Sequence, residues 1–151
     1  MALISIISPC FNEVDNVEAC HAAVAALFEP GGPLAHHRRE HIFSDNASED
    51  GTVAILRRLA AADPCMKVIL DARNFGPFRS NFNALRYATG DAVLVFLPAD
   101  LQDPPELIPE MVRHWENGIE VVAGARANRD ETWTLRTCRH IFYRIVSTLS
   151  D

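Results

Sequence analysis

The chain has 151 residues, 48% of them apolar and 23% charged, with a formal net charge of −6 and a pI near 5.5. Such a composition describes one soluble globular domain with enough chain for a real core, and its acidic balance excludes nucleic acid as the main partner. Four cysteines (Cys10, Cys20, Cys65, Cys138) stand without a CxxC pair or a partnering histidine, so free thiols in a cytosolic protein are expected rather than zinc or a disulfide framework.

Residues 2–8 follow Met1 as a strand-like run with no basic leader and no cleavage site, far shorter than the ~20 residues a membrane span needs. The first strand is expected over 3–7, followed by an alanine-rich helix over 14–28 opened by Asp15 and Asn16. Pro30-Gly-Gly-Pro33 is a turn. His36-His-Arg-Arg39 reads as a solvated loop, since no acidic or sulfur ligand stands at a useful spacing from its histidines. Strands are expected over 41–44, 67–70, 92–97 and 120–123. Helices are expected over 51–62, with Val53, Leu56, Leu59 and Ala60 on one face, over 79–88, and over 104–117, closed by Gly118. Short strands apolar on both faces and separated by helices predict an α/β fold with a mostly parallel sheet, helices on both faces.

Polar residues crowd three strand ends: Ser8-Pro-Cys-Phe-Asn-Glu13, residues 45–52, and residues 98–103. In an open parallel sheet these loops gather on one edge, where ligands bind. Neither GxGxxG nor GxxxxGK[ST] is present, so phosphate would be held by metal and arginine instead. The stretch 94–106 is the most informative. Its strand formers stop at Pro98, and Asp100, Gln102 and Asp103 follow within a few residues. Asp100 and Gln102 are hard oxygen ligands suited to a divalent cation shared with a substrate phosphate. Asp103 reads instead as a helix cap, with Pro104 and Pro105 in the first turn and Glu106 completing a capping box. Asp50 likewise reads as a cap.

Pro9-Cys-Phe-Asn-Glu13, residues 45–52, Arg73-Asn-Phe-Gly76, Asp100-Leu-Gln-Asp-Pro-Pro-Glu106 and Gly124-Ala-Arg126 occur in order. Together they make the chain resemble the family 2 inverting glycosyltransferases of GT-A fold, a Rossmann-like nucleotide-sugar-binding sheet. It is most similar to the polyprenyl-phosphate sugar transferase branch, which includes dolichyl-phosphate mannose synthase and undecaprenyl-phosphate glucosyltransferases. The resemblance implies a UDP- or GDP-linked sugar donor and a polyprenyl-phosphate acceptor, in cell-envelope glycan synthesis. It implies that Pro9, Phe11, Glu13, Phe43, Pro98 and Ala99 line the nucleoside pocket, with Phe11 where tyrosine is usual, and that Asp45 holds the base or ribose. Asp100 and Gln102 would bind Mg2+ or Mn2+ at the diphosphate. Arg126 would meet the diphosphate or acceptor phosphate, and Asp103 is the nearest base for a hydroxyl acceptor.

Two departures stand out. Pro98-Ala-Asp100 replaces the Asp-Ala-Asp of many relatives, and the family's acceptor-side segment and membrane helices lie beyond residue 151. The expected organisation is therefore a donor-binding unit over 1–131 and a basic amphipathic helix over 132–151. In that helix Leu135, Cys138, Phe142, Ile145 or Val146, and Leu149 form one stripe, with Arg136, Arg139, His140 and Arg144 off it. Such a helix either packs on the sheet or meets anionic lipid head groups, and the resemblance favours a peripheral position at the cytoplasmic membrane face. Its stripe also makes a homodimer plausible. Rival functions are a truncated, non-catalytic nucleotide-sugar-binding module and a sugar nucleotidyltransferase.

Overall fold

The computed structural model describes residues 1–125, together with 138, 142–144 and 148. Strands β1 (Leu3–Cys10), β2 (Arg38–Asp45), β3 (Met66–Leu70) and β4 (Ala92–Leu94) form one sheet in the order β3-β2-β1-β4. All three pairings are parallel, and β1 runs beside β2 in register from Leu3 opposite Arg38 to Cys10 opposite Asp45. Helices α1 (Val17–Phe28), α2 (Thr52–Ala62), α3 (Pro77–Leu85) and α4 (Ile108–Glu116) follow the strands in turn, α4 being led in by a 3-10 turn over Pro105–Leu107. The expected parallel α/β sheet is present.

Side chains alternate across a strand, so the two faces of the sheet divide by parity. One face carries Ile4, Ile6, Cys10 and Phe43, and packs on Val17, Cys20 and Val24 of α1, Leu56 of α2, and Ile108 and Val112 of α4. The other face carries Ile7 and Ile42 and receives Ala84 of α3. Helices thus cover both faces, as a sheet of doubly apolar strands requires.

The second face is held by polar groups as much as by apolar ones. Glu40 of β2 accepts hydrogen bonds from Ser5 Oγ (2.6 Å), from the Thr89 backbone N–H (2.9 Å) and hydroxyl (2.7 Å), and from Lys67 Nζ. Burial alone would raise its carboxyl, but the bonds from Lys67, Ser5 and Thr89 outweigh that and hold it down at about 2. Gly90 donates its N–H to Ser5 Oγ at 2.9 Å. A Cβ on Gly90 would lie 2.6 Å from that oxygen and 2.7 Å from the Leu3 carbonyl, so the close approach admits no side chain.

The structure departs from the expected elements in several places. β2 begins at Arg38, because pairing with β1 continues through Arg38 and Arg39, and Arg39 reaches Asp63 beyond α2. The loop assigned to 36–39 is therefore half strand, and His37 is buried. Glu116, remote in sequence, closes on the histidines: His37 Nε2 lies 3.1 Å and His36 Nε2 3.7 Å from its Oε1. Because Ala2 N–H donates to His37 Nδ1 at 3.2 Å, the Nε2 bears the proton and donates it to Glu116. This fixes a hydrogen-bonded trio whose ring lone pair is already used.

β4 stops at Leu94, short of the expected 97, and among the described residues 120–125 form no strand. A cavity of about 230 Å³, lined by Ala92, Val93 and Leu94 on one side and by Glu120 and Val122 on the other, separates that segment from β4. Strand-forming residues without a ladder partner do not make a strand. Helix α3 starts at Pro77, two residues early, behind Gly76 at φ +85°. The cap expected at Asp103 falls on Pro104 with no side-chain cap bond. Among the described residues no helix is long and apolar enough to cross a membrane. Most of the amphipathic helix expected over 132–151 lies outside the described residues, as does Arg126.

Candidate functional site

The strand order places β1 between β2 and β4, so the loops leaving the carboxyl ends of these three strands are neighbours, and the chain reverses its winding direction between β1 and β4. That is where an open parallel sheet forms a binding crevice. Hydrogen bonds latch the three loops together. Asn12 N–H donates to Ser48 Oγ and Glu49 N–H to Asn12 Oδ1, both at 2.9 Å, and Glu13 N–H donates to Thr52 Oγ1 at 2.9 Å. On the other side Leu97 N–H donates to the Ile7 carbonyl (2.9 Å) and Ala99 N–H to that of Pro9 (3.3 Å). Each of the three loops also holds one non-glycine residue in the left-handed region: Asn12 (φ 55°), Ala47 (φ 64°) and Leu101 (φ 57°). Such conformations cost of order 1 kcal/mol or more for residues with a Cβ and gather where surroundings over-determine the backbone.

Asp45 ends β2, is 1% exposed, and accepts from Ser48 N–H (3.0 Å) at Oδ2 and from Ser48 Oγ at Oδ1. Its carboxylate thereby shapes its own loop; Oδ1 also accepts from the Cys10 thiol at 3.9 Å, and Oδ2 retains a further lone pair. Asp50 accepts from Thr52 N–H (2.8 Å) at the start of α2 and from Val14 N–H (3.3 Å), the cap duty expected of it. A hydrogen bond from the Thr52 side chain, and after it these backbone bonds, lower its carboxyl. Burial, and then the neighbouring Asp45 charge, push the Cys10 thiol up, so Cys10 is a packed, inert group at this edge.

Asp100 is half-buried just beyond β4. Its Oδ1 accepts from Gln102 N–H at 3.0 Å, and its Oδ2 takes no hydrogen bond among the described residues. Leu101, left-handed between them, packs on the core. Gln102 and Asp103 line a cavity of about 640 Å³ bounded by Leu94, Phe96, Pro104, Met111 and Ala125. The donor set fits a hard divalent cation: one carboxylate with an uncommitted oxygen and one exposed amide oxygen, with room left for diphosphate and water oxygens.

Of the residues expected at the nucleoside, Phe11 is exposed, Glu13 and Pro98 are half-buried, and Pro9 and Ala99 are packed beneath them. Glu13 Oε2 accepts from Asn16 Nδ2 at 2.7 Å. Phe43 is a correction: it is fully buried in the core with its ring 4.3 Å from that of His41. Both faces of β2 are buried, so its position in a strand gave no warning. The 640 Å³ cavity lies on the β4 side and is lined by Gln102 and Asp103 but not by Phe11, Glu13, Asp45 or Asp100, so the loops are joined by hydrogen bonds, those of Leu97 and Ala99 to β1 among them, and not through one enclosed pocket.

Sequence reasoning missed Asn46 and Asn74. Asn46 Nδ2 donates to Asn74 Oδ1 (2.9 Å), and Asn46 Oδ1 accepts from Phe75 N–H (2.8 Å), tying the loop after β3 to the same edge. Asparagine directly after a strand end was the available signal.

Residues 5–149 match the family model described as "Glycosyl transferase family 2". The chain is 34% identical over 148 residues to YkcC, an uncharacterized glycosyltransferase of Bacillus subtilis (strain 168), covering 97% of this chain and 44% of that protein. It is 32% identical over 149 residues to a prophage bactoprenol glucosyl transferase homolog of Escherichia coli (strain K12), covering 98% and 47%. Among solved structures it is similar to a mannosyltransferase from Pyrobaculum calidifontis in complex with GDP-Man and Mn2+. There the TM-score is 0.58 and the identity 26%, over 74% of this chain and 32% of the other. The chain spans slightly under half the length of the curated relatives it matches.

Proposed function

The chain belongs to glycosyl transferase family 2, and from that premise we propose that it is the donor-binding part of an inverting sugar transferase whose acceptor is a polyprenyl phosphate. The observation that carries this reading is Asp100, with its uncommitted oxygen, directly after Ala99, whose N–H bonds the Pro9 carbonyl at the end of β1 at the winding reversal. The bactoprenol-directed relative and the neighbour holding GDP-Man and Mn2+ support the choice of acceptor and donor.

On this reading Asp100 and Gln102 hold Mg2+ or Mn2+, which supplies charge to the diphosphate leaving group. Asp45 takes the base or ribose through its remaining lone pair, and Phe11, Glu13 and Pro98, over Pro9 and Ala99, form the wall beside it. Arg126 meets the diphosphate or the acceptor phosphate. A phosphate-oxygen lone pair of the acceptor attacks the anomeric carbon from the face opposite the leaving group. The bond from that carbon to the diphosphate oxygen breaks, and the nucleoside diphosphate departs with the electron pair. A phosphate monoester is already anionic at neutral pH, its second pKa being about 6, so alignment matters more than a strong base. For a hydroxyl acceptor, Asp103 would be the base. Residues 1–131 serve the donor, and 132–151 rest on the cytoplasmic face of the membrane.

Titration calorimetry with UDP and GDP, in Mn2+ or in EDTA, tests the reading. Wild type should bind one nucleotide more tightly with Mn2+, and Asp100→Ala should remove that metal-dependent gain while leaving the melting temperature unchanged. Equal affinity with and without metal would overturn the assignment.

A further inference from the structure

Helix α3 is turned inside out relative to ordinary amphipathic helices. The residues it buries against the sheet are small or polar. Ser80 Oγ bonds Ser44 Oγ at 2.8 Å, Asn81 Nδ2 donates to the Val95 carbonyl, and Ala84 fills the space between. Of its large apolar residues Leu85 packs inward, while Phe78 and Phe82 face outward at 73% and 66% exposure, one turn apart on the same side. Phe96, beyond β4, stacks on Phe78 with ring centroids 6.4 Å apart, and Phe75 and Tyr87 extend the exposed aromatic surface at its two ends.

The charges carried by this segment itself are of one sign. From 72 to 90 the chain carries Arg73, Arg79 and Arg86 and no acidic residue, in a protein of net charge −6. All three arginines are exposed, Arg73 lying over the Phe75 ring at 4.7 Å. The nearest acid before the segment, Asp71, is half-buried and turned toward Asn83 of α3. The nearest after it, Asp91, accepts from the Leu3 N–H at the far end of β1.

We propose that the outer face of α3, with Phe78, Phe82 and Phe96 flanked by Arg79 and Arg86, docks this protein onto an anionic lipid surface. Aromatic side chains seat at the head-group level of a bilayer while arginines engage its phosphates. A two-fold contact between copies would bring two arginine-bearing faces without an acidic residue of their own segment together, which the charge pattern disfavours. Asn81 fastens α3 to the segment leaving β4, so the docked face adjoins the strand-end edge. The inference goes beyond the donor-site reading and stands on different residues from those at 132–151.

Flotation with vesicles of phosphatidylglycerol and phosphatidylcholine, against phosphatidylcholine alone, tests it on the full chain. Wild type should partition onto the anionic vesicles and come off as salt rises. Phe78→Ser with Phe82→Ser, and separately Arg79→Gln with Arg86→Gln, should each weaken partition about tenfold or more. Both variants should keep the wild-type melting temperature and nucleotide affinity. Four results overturn the proposal. They are no binding by wild type, undiminished binding by the phenylalanine variant, and a marked fall in that variant's melting temperature, which would show the face covered by the chain itself. The fourth is a wild-type dimer in light scattering that the phenylalanine variant dissolves, which would assign the face to a second copy.

Discussion

The two faces of the sheet are held by different forces. Beneath α1, α2 and α4 lies a continuous apolar cluster centred on Ile4, Ile6, Phe43 and Leu56. Beneath α3 the buried apolar set shrinks to Ile7, Ile42 and Ala84, and hydrogen bonds at Ser44–Ser80 and around Glu40 take over. The first face depends on close packing, and its response to pH comes from His41 and the neighbouring His21. The second depends on each polar partner being present and correctly charged. A helix fastened by small polar residues is free to turn its aromatic side chains toward something else.

Substitutions can sharpen or break this contrast. The largest effect belongs to Phe43→Ala on the apolar face, where a fully buried aromatic ring is lost. Chemical denaturation should show a loss of about 3–5 kcal/mol, nearly independent of pH. A loss under 1 kcal/mol would show that the cluster is loosely packed.

Glu40→Gln, on the polar face, comes next at about 3 kcal/mol near neutral pH, from a carboxyl held at about 2 against an ordinary 4.5. The folded-state value is lowered, so the stabilisation is present above pH 4.5 and disappears as pH falls toward 2. Wild-type stability should therefore drop through that window while the variant's stays flatter. Parallel acid profiles would remove Glu40 from the account.

The smallest effect tests the pH response of the apolar face. His41 is fully buried, its Nε2 2.9 Å from Ser8 Oγ, and burial, helped by the charges of His21 and Arg39, lowers it to about 3. The unfolded chain takes up a proton near pH 6.5 and the folded one does not, so stability should fall by about 1.4 kcal/mol per pH unit below 6.5. His21 is lowered as well, by burial first and by Arg39, against the opposing pull of Asp63, and so acts in the same sense. His41→Asn should reduce the slope between pH 6.5 and 5.5, measured by urea midpoints. An unchanged slope would assign it to His21 alone.

The parallel α/β architecture and the polar strand ends were legible because both rest on local pattern: short apolar runs, and Asp or Asn directly after them. What could not be read depends on partners distant in the chain. Arg38 and Arg39 are strand residues only because β1 lies alongside, and Glu116 reaches His37 across 79 positions. Val121 and Val122 have strand character, yet a cavity stands where their partner would be. Phe43 sits in a strand buried on both sides, so parity alone could not say whether it met a ligand or the core. The outward aromatics of α3 were invisible for the opposite reason: a helix pattern with an apolar stripe is ordinarily read as stripe-inward.

Gly90 carries a consequence for the descent of this protein. Its backbone lies so close to Ser5 and Leu3 that any other residue there installs a collision with them. Ser5 is bound to the same fate, since its hydroxyl serves Glu40 and Gly90 at once. A change at Gly90 would need the Leu3–Ser5 backbone to move with it, and a change at Ser5, Glu40 or Thr89 would leave the remaining partners with a lost hydrogen bond. The quartet Ser5, Glu40, Thr89 and Gly90 should therefore drift as a unit or not at all, and a saturation library at Gly90 should return glycine almost alone.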